Sequence, residues 1–299
     1  MSAKLKIGKL VVIGVGLIGG SFALALKKAK AVRHVVGVGR GRKNLAVALK
    51  MRFIDEATTD AAGAVRDADL VLLGTPVGQM AEVMAKIAPH LPSHAVITDG
   101  GSTKADVIAH ARRFLGEHYA RFIPAHPIAG TEKSGAAAAR ADLYRDRTVI
   151  LTPHPETAAR ALRLVRLAWQ QCGARVLQLD GREHDGIFAA VSHLPHVIAF
   201  ALVNTLARRP DARRLFGFSG GGLRDTVRIA GSSPEMWRDI CLANREALLA
   251  ALDGYEAELE RVRAAIESGD GAALDEMFER ARAARSRWLL GTRRQNRPR

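Results

Sequence analysis

The chain has 299 residues, 48% hydrophobic and 25% charged, and 45 basic against 30 acidic side chains leave a formal charge of +15. That content excludes a disordered chain and a small disulfide-stapled scaffold, and the length suits two domains. The positive excess keeps nucleic acids, membrane surfaces and polyanionic small molecules open as partners, whereas 5% aromatic residues are few for a single-strand binder.

Met1 to Lys9 is polar and holds no signal-peptide core. Cys172 and Cys241 lie far apart without metal-ligand spacing, which predicts a reduced, cytoplasmic protein. Gly, Lys or Arg interrupts the longest apolar candidates, so no run of membrane-spanning length is expected.

The run Leu10–Ile13 predicts a strand, and Gly14-Val15-Gly16-Leu17-Ile18-Gly19 follows it and opens a helix over 18–30. A strand before and a helix after is the context in which GxGxxG binds a dinucleotide. Gly14 permits the tight turn, Gly16 lets backbone approach a pyrophosphate, and Gly19 lets helix and strand pack closely. The first helical turn, with Leu17 and Ile18, offers free N–H groups to the anion.

The next strand, His34–Val38, runs into Gly39-Arg40-Gly41-Arg42-Lys43. An NAD site usually carries Asp or Glu here for the ribose 2′-hydroxyl, and this chain has none. Arg40, Arg42 and Lys43 could instead neutralise a 2′-phosphate, so NADP is the expected cofactor, with NAD possible. As plain surface charges they would oppose the dipole of the helix expected over 42–51.

Strands at Leu70–Gly74, Ala95–Thr98, Arg121–Pro124, Thr148–Leu151 and Arg175–Gln178 alternate with helical stretches around 77–90, 103–116 and 155–172. The alternation predicts an α/β fold with a parallel, right-handed Rossmann-type sheet. Three loops leave strand ends, where such sheets bind ligands. They are Gly74-Thr75-Pro76, whose Thr75 and Pro76 are assigned to the cofactor, Asp99 to Lys104, and Ala125 to Gly135. His126, between a strand end and a Gly-rich loop, is poised for proton transfer near neutral pH.

After Asp180 the strand signal stops and the pattern to Leu290 is helical, giving a dinucleotide-binding domain over 1–180 and an all-α domain over 181–299. Cys241, Leu248, Leu252, Tyr255, Leu259, Val262 and Ile266 form an apolar seam that suits an internal core or a dimer interface equally. Pro195 is expected to kink its helix beside His193 and His196. His184, His193 and His196 match no zinc spacing, so no metal is expected. Thr292 to Arg299 reads as a frayed basic tail.

At this point the chain resembles the prephenate/arogenate dehydrogenases of tyrosine biosynthesis. The motifs are DGGSTK, HPIAGTEKSG, HDGIFAAVSHLPH and GGGLRDTVRIAGSSPEMW, in that order. The resemblance implies oxidative decarboxylation of prephenate, or of arogenate, with His126 accepting the proton of the ring hydroxyl. It implies that Ser102 orients His126, that Arg228 pairs with a substrate carboxylate, and that His196 contacts substrate. It makes His184 and Asp185 a supporting pair, Glu132 a gate at the pocket mouth, Trp237 an apolar wall, and Gly221 and Gly222 points of close approach. It also implies a homodimer through the helical domain and neither a mutase segment before the cofactor domain nor a regulatory module after the helical one.

Two other readings compete. A β-hydroxyacid-type dehydrogenase shares the architecture but uses a lysine in its helical domain, and no Lys occurs from Arg182 to Arg299. An NADP-sensing nucleic-acid-binding protein would explain the +15 charge, but no helix-turn-helix or RNA-binding signature is present. Neither nucleic acid nor membrane is the expected partner.

Overall fold

Strand β1 (Ile7–Ile13) lies between β2 (Val32–Val38) and β4 (Leu70–Leu73), and both pairings are parallel. The computed structural model describes residues 5–130 and 134–295. Together with β3 (Glu56–Thr58), β5 (Val96–Asp99) and β6 (Phe122–Ile123), these strands form a six-stranded parallel sheet in the order β3-β2-β1-β4-β5-β6. Successive side chains of β1 enter opposite layers. Leu10 and Val12 pack with Phe22, Leu26 and Trp169, and Val11 and Ile13 with Val77, Met80 and Met84. Both faces are therefore dry, which is why the strand reads as an unbroken apolar run.

The helices that cover the sheet are α1 (Leu17–Lys28), α2 (Arg42–Lys50), the single turn α3 (Ala61–Ala64), α4 (Met80–Ile87) and α5 (Ala105–Phe114). Strand β3 and helix α3, too short to show a period, are additions to the expected order.

The expectation of one parallel sheet needs correction beyond β6. Strands β7 (Ala125–Pro127), β8 (Thr148–Leu151) and β9 (Arg175–Gln178) form a second, three-stranded sheet. In it β7 and β8 are antiparallel, and β8 and β9 parallel. Pro124, which has no N–H to give, separates β6 from β7 where one strand over 121–124 was expected. A parallel return needs a crossover, usually a helix, and α6 (Ala159–Gln171) supplies one between β8 and β9. No α-helix is formed between β7 and β8 among the described residues.

The helical half begins at Asp180, whose carboxylate accepts from the N–H groups of Arg182 (2.8 Å) and Glu183 (3.3 Å) and caps α7 (Gly181–Phe188). A π-helical turn, Ala189–His193, joins α7 to α8 (Leu194–Ala207), which has Pro195 in its first turn. The wider turn accommodates a residue that lacks an N–H and crowds the preceding turn. Contrary to expectation, Gly181–Ala207 is long and apolar enough, by length and composition, to cross a membrane. From Ile187 to Ala207 no Gly, Lys or Arg interrupts the run, although His193 and His196 fall within it. Three polar side chains on this helix, His184, Asp185 and His193, are buried in the fold.

Helices α9 (Ala212–Gly217), α10 (Gly221–Val227) and α11 (Pro234–Ala243) follow. Contacts divide the chain into a compact unit over Met1–Leu248 and a second over Leu249–Arg299. The second unit contains most of α12 (Arg245–Ser268) and all of α13 (Gly271–Gln295). The backbone of α13 is thus helical as far as Gln295, further than the expected tail allows.

Candidate active site

The phosphate loop joins β1 to α1. Gly14 has φ +102°, and a Cβ there would lie 2.5 Å from the Gly74 carbonyl oxygen. A Cβ on Gly19 would lie 2.2 Å from the Gly14 carbonyl oxygen, so that position fixes helix against strand. A Cβ on Gly16 would meet nothing within 4 Å. Gly16 is also the N-cap of α1, without a side-chain cap. The first-turn N–H groups beside Leu17 and Ile18 therefore remain available to an anion.

A cavity of about 500 Å³ opens at this loop and is lined by Gly14, Gly16, Arg40, Asn44, Thr75, Pro76 and Lys86, among others. The buried Thr75 hydroxyl has no hydrogen-bond partner among the described residues. The open backbone at Gly16 and this orphaned hydroxyl suit a phosphate-bearing cofactor. Arg40 lines the cavity, 78% exposed at its side chain and 3.9 Å from Glu235. Arg42 and Lys43 are exposed in the first turn of α2 and do not line it. Lys86, in the last turn of α4, is a cation that sequence reasoning missed, since nothing local to it signals a ligand.

His126 sits in the middle of β7, opposite Ile150 of β8. Its Nδ1 lies 2.8 Å from His184 Nε2, and His184 Nδ1 lies 2.8 Å from Asp185 Oδ1. The two Asp185 oxygens accept from the backbone N–H groups of Lys104 and Ala105, each at 2.8 Å. These donors begin α5, where an anion is favoured. The bonding assigns the tautomers. An ionised Asp185 only accepts, so His184 carries its proton on Nδ1 and accepts at Nε2. His126 then donates from Nδ1, and its Nε2 is left as a free base.

A second buried group holds the segment leading to His126. Lys104 and Asp99 form an ion pair with both side chains fully buried. Lys104 Nζ also donates to the Ala125 carbonyl at 2.8 Å, and Asp99 Oδ1 accepts from Ala125 N at 2.9 Å. Burial, followed by His184, Lys104 and His193, holds His126 well below the ordinary imidazole pKa. Burial lowers His184 as well, against the opposing effect of Asp185. Asn244 Nδ2 donates to the Asp185 carbonyl and to His193 Nδ1, and burial lowers His193 to about 4. The network is therefore neutral in its imidazoles at neutral pH.

His126 faces a cavity of about 510 Å³ with Phe188, His196, Arg228 and Trp237. The ring of Phe188 stands edge-on to His126 at 4.7 Å. His196 stacks on Trp237 at 3.6 Å and donates from Nδ1 to the Ser192 carbonyl at 2.8 Å. Ser102 lines an adjoining cavity with Gly16, Thr75, Pro76 and His126, which links the phosphate loop to the imidazole. Gly221 and Gly222 line none of these cavities, and a Cβ on either would meet nothing within 4 Å. Glu132 lies outside the described residues. Phe188, Lys104 and Asn244 stood inside or beside the sequence motifs, but only the folded chain gives them partners at the site.

The model of the prephenate dehydrogenase nucleotide-binding domain matches residues 22–178, and that of the prephenate dehydrogenase dimerization domain matches residues 180–280. The cyclohexadienyl dehydrogenase of Zymomonas mobilis is 40% identical over 281 residues, covering 92% of this chain and 94% of its own. Among solved structures, prephenate dehydrogenase from Aquifex aeolicus, in complex with hydroxyphenyl propionate and NAD+, is similar at a TM-score of 0.88 and 36% identity, covering 95% of this chain and 99% of that one. Arogenate dehydrogenase from Synechocystis is similar at 0.77 and 28% identity, covering 94% of this chain and 99% of that one.

Proposed function

The chain belongs to the prephenate dehydrogenase family, and from that premise we propose that it converts prephenate to 4-hydroxyphenylpyruvate in tyrosine biosynthesis, using NADP+ in preference to NAD+. The observation that carries this reading is the pair of 2.8 Å contacts that link His126 to His184 and His184 to Asp185 beside a cavity that His126 lines, an arrangement that leaves His126 Nε2 as the base. Prephenate presents a ring hydroxyl opposite the carbon that bears its ring carboxylate. His126 Nε2 accepts a hydrogen bond, and then the proton, from that hydroxyl as the carbon that bears it is oxidised. A bound oxidised nicotinamide would supply the acceptor for the hydride of the hydroxyl-bearing carbon. The ring carboxylate leaves as CO₂, its bonding electrons complete the aromatic ring, and His126 returns the proton to the phenol oxygen. Ser102 orients His126, Arg228 pairs with a substrate carboxylate, and His196 and Trp237 form a wall of the pocket.

Gly14, Gly16 and Gly19 with Thr75 and Pro76 would hold the pyrophosphate end of the cofactor, and Arg40 a 2′-phosphate. The domain boundary in this reading lies at residue 180. The exposed apolar side chains Val191, Phe218, Leu242 and Ile266 support a homodimer formed through the helical domain. Free Cys172 and Cys241 support a cytoplasmic location.

A second reading, a dual-substrate cyclohexadienyl or an arogenate dehydrogenase, is favoured by the Zymomonas relative. The substrates differ only by a keto or an amino group on the side chain. Steady-state assays with prephenate and arogenate, each with NADP+ and NAD+, test the proposal. Turnover of prephenate, faster with NADP+, is expected; absence of prephenate turnover overturns it.

A further inference from the structure

The cofactor cavity meets the helical half at one carboxylate. Glu235, in the first turn of α11, accepts at Oε1 from Gln79 Nε2 at 3.3 Å, and the same oxygen lies 3.9 Å from the Arg40 guanidinium. Gln79 and Arg40 both line the cavity. Resting on the proposed role of Arg40, we infer that Glu235 is a specificity-determining residue for the cofactor, which engages Arg40 and so weakens its hold on a 2′-phosphate.

Packing fixes where this carboxylate stands. Trp237 and Ile240 of α11 are buried in the same core as Val77 and Met80. A Cβ on Gly78 would lie 2.7 Å from Asp239 Oδ2, so α11 rests directly on the turn Val77–Gln79 that leads into α4. The Ser233 hydroxyl accepts from Met236 N and caps the helix, and an acidic side chain in the first turn suits the helix dipole.

Charge at this end of the cavity balances. The charged side chains that line it are Arg40, Lys86 and Glu82, and Glu235 at the rim supplies a second carboxylate. Glu82 and Lys86 are four residues apart on α4, the spacing at which such a pair meets along a helix. A 2′-phosphate carries about −1.5 to −2 charge near neutral pH. It must compete with Glu235 for one guanidinium and lie near a like charge. A ribose 2′-hydroxyl is neutral and meets neither cost. Glu235 thus tempers selection of NADP+ and keeps NAD+ usable. Its pair with Arg40 is exposed on both sides, so the effect is that of a surface ion pair, a matter of a few-fold.

The test measures dissociation constants of NADP+ and NAD+ by calorimetry, without substrate, for wild type, Glu235→Gln, Arg40→Ala and the double variant. Glutamine keeps the size of the side chain and an acceptor for Gln79, so the change is one of charge. Glu235→Gln should tighten NADP+ binding about threefold to fivefold and leave NAD+ within about twofold. Arg40→Ala alone should weaken NADP+ about tenfold. In the Arg40→Ala background the glutamine substitution should change NADP+ binding by less than about twofold, because the guanidinium that it frees is gone. Unchanged or weaker NADP+ binding in Glu235→Gln, an equal gain for both cofactors, or the full gain without Arg40 overturns the role of Glu235 while leaving that of Arg40 intact. An Arg40→Ala variant that binds NADP+ as wild type does overturns the 2′-phosphate reading of Arg40 and the role of Glu235 with it.

Discussion

His184 Nε2 lies 2.8 Å from His126 Nδ1, so one histidine fixes which nitrogen of the other is free to act as a base. Asp185 behind them is held by two backbone N–H groups and cannot turn away. The site is thereby oriented before substrate arrives.

This arrangement sets the expected pH dependence. Burial and neighbouring positive groups lower His126, and its neutral form is the active one. Activity is therefore present above the lowered pKa and lost as pH falls through it. The acid limb of kcat/KM should lie below pH 6.5, the ordinary imidazole value. A limb at or above 6.5 contradicts this account.

Asp185→Asn leaves a side chain that can donate toward His184 Nδ1 and favour the wrong tautomer. Turnover should fall about a hundredfold. Loss of the Asp185 charge also removes the anion that stabilises an imidazolium in this chain of hydrogen bonds, so the acid limb should move to lower pH. A variant with reduced rate and an unmoved pH profile would assign Asp185 a purely structural role.

How much of this was legible in the sequence depends on the range of each signal. Gly14, Gly16 and Gly19 are spaced within one turn, and their roles follow from local geometry. The apolar runs of β1 and β4 are buried on both faces and read correctly for that reason. Asp99 and Lys104 stood within one motif, but their pairing at Ala125 requires the chain to return 21 residues later, which no local pattern encodes. The antiparallel entry of β7 was equally hidden, because it depends on the missing helical crossover between β7 and β8. Pro195 marked a disturbance of its helix without revealing the π turn that absorbs it. Arg42 and Lys43 looked equivalent to Arg40 by composition, and only the start of α2 separates them from the cavity.

The same point makes cofactor choice testable at a single position. Arg40→Asp removes the cation that lines the cavity and supplies a carboxylate for a ribose hydroxyl. The ratio of kcat/KM for NADP+ over that for NAD+ should fall at least about tenfold. An unchanged ratio would show that Arg40 does not read the 2′ position.

The buried pair beneath the site predicts a stability effect. Lys104→Met leaves Asp99 buried without its cation, which should cost about 3–5 kcal/mol. Denaturant unfolding should show a lower midpoint, and a midpoint equal to wild type would mean that Asp99 gains another partner or a proton at little cost.

The most direct test of the central claim follows CO₂ and reduced nicotinamide together during turnover of prephenate by wild type and by His126→Asn. Wild type should release the two in equal amounts. The variant should bind the cofactor as wild type does while losing both products by a factor of about 10²–10⁴. A variant that forms both at the wild-type rate would contradict His126 as the group that takes the hydroxyl proton.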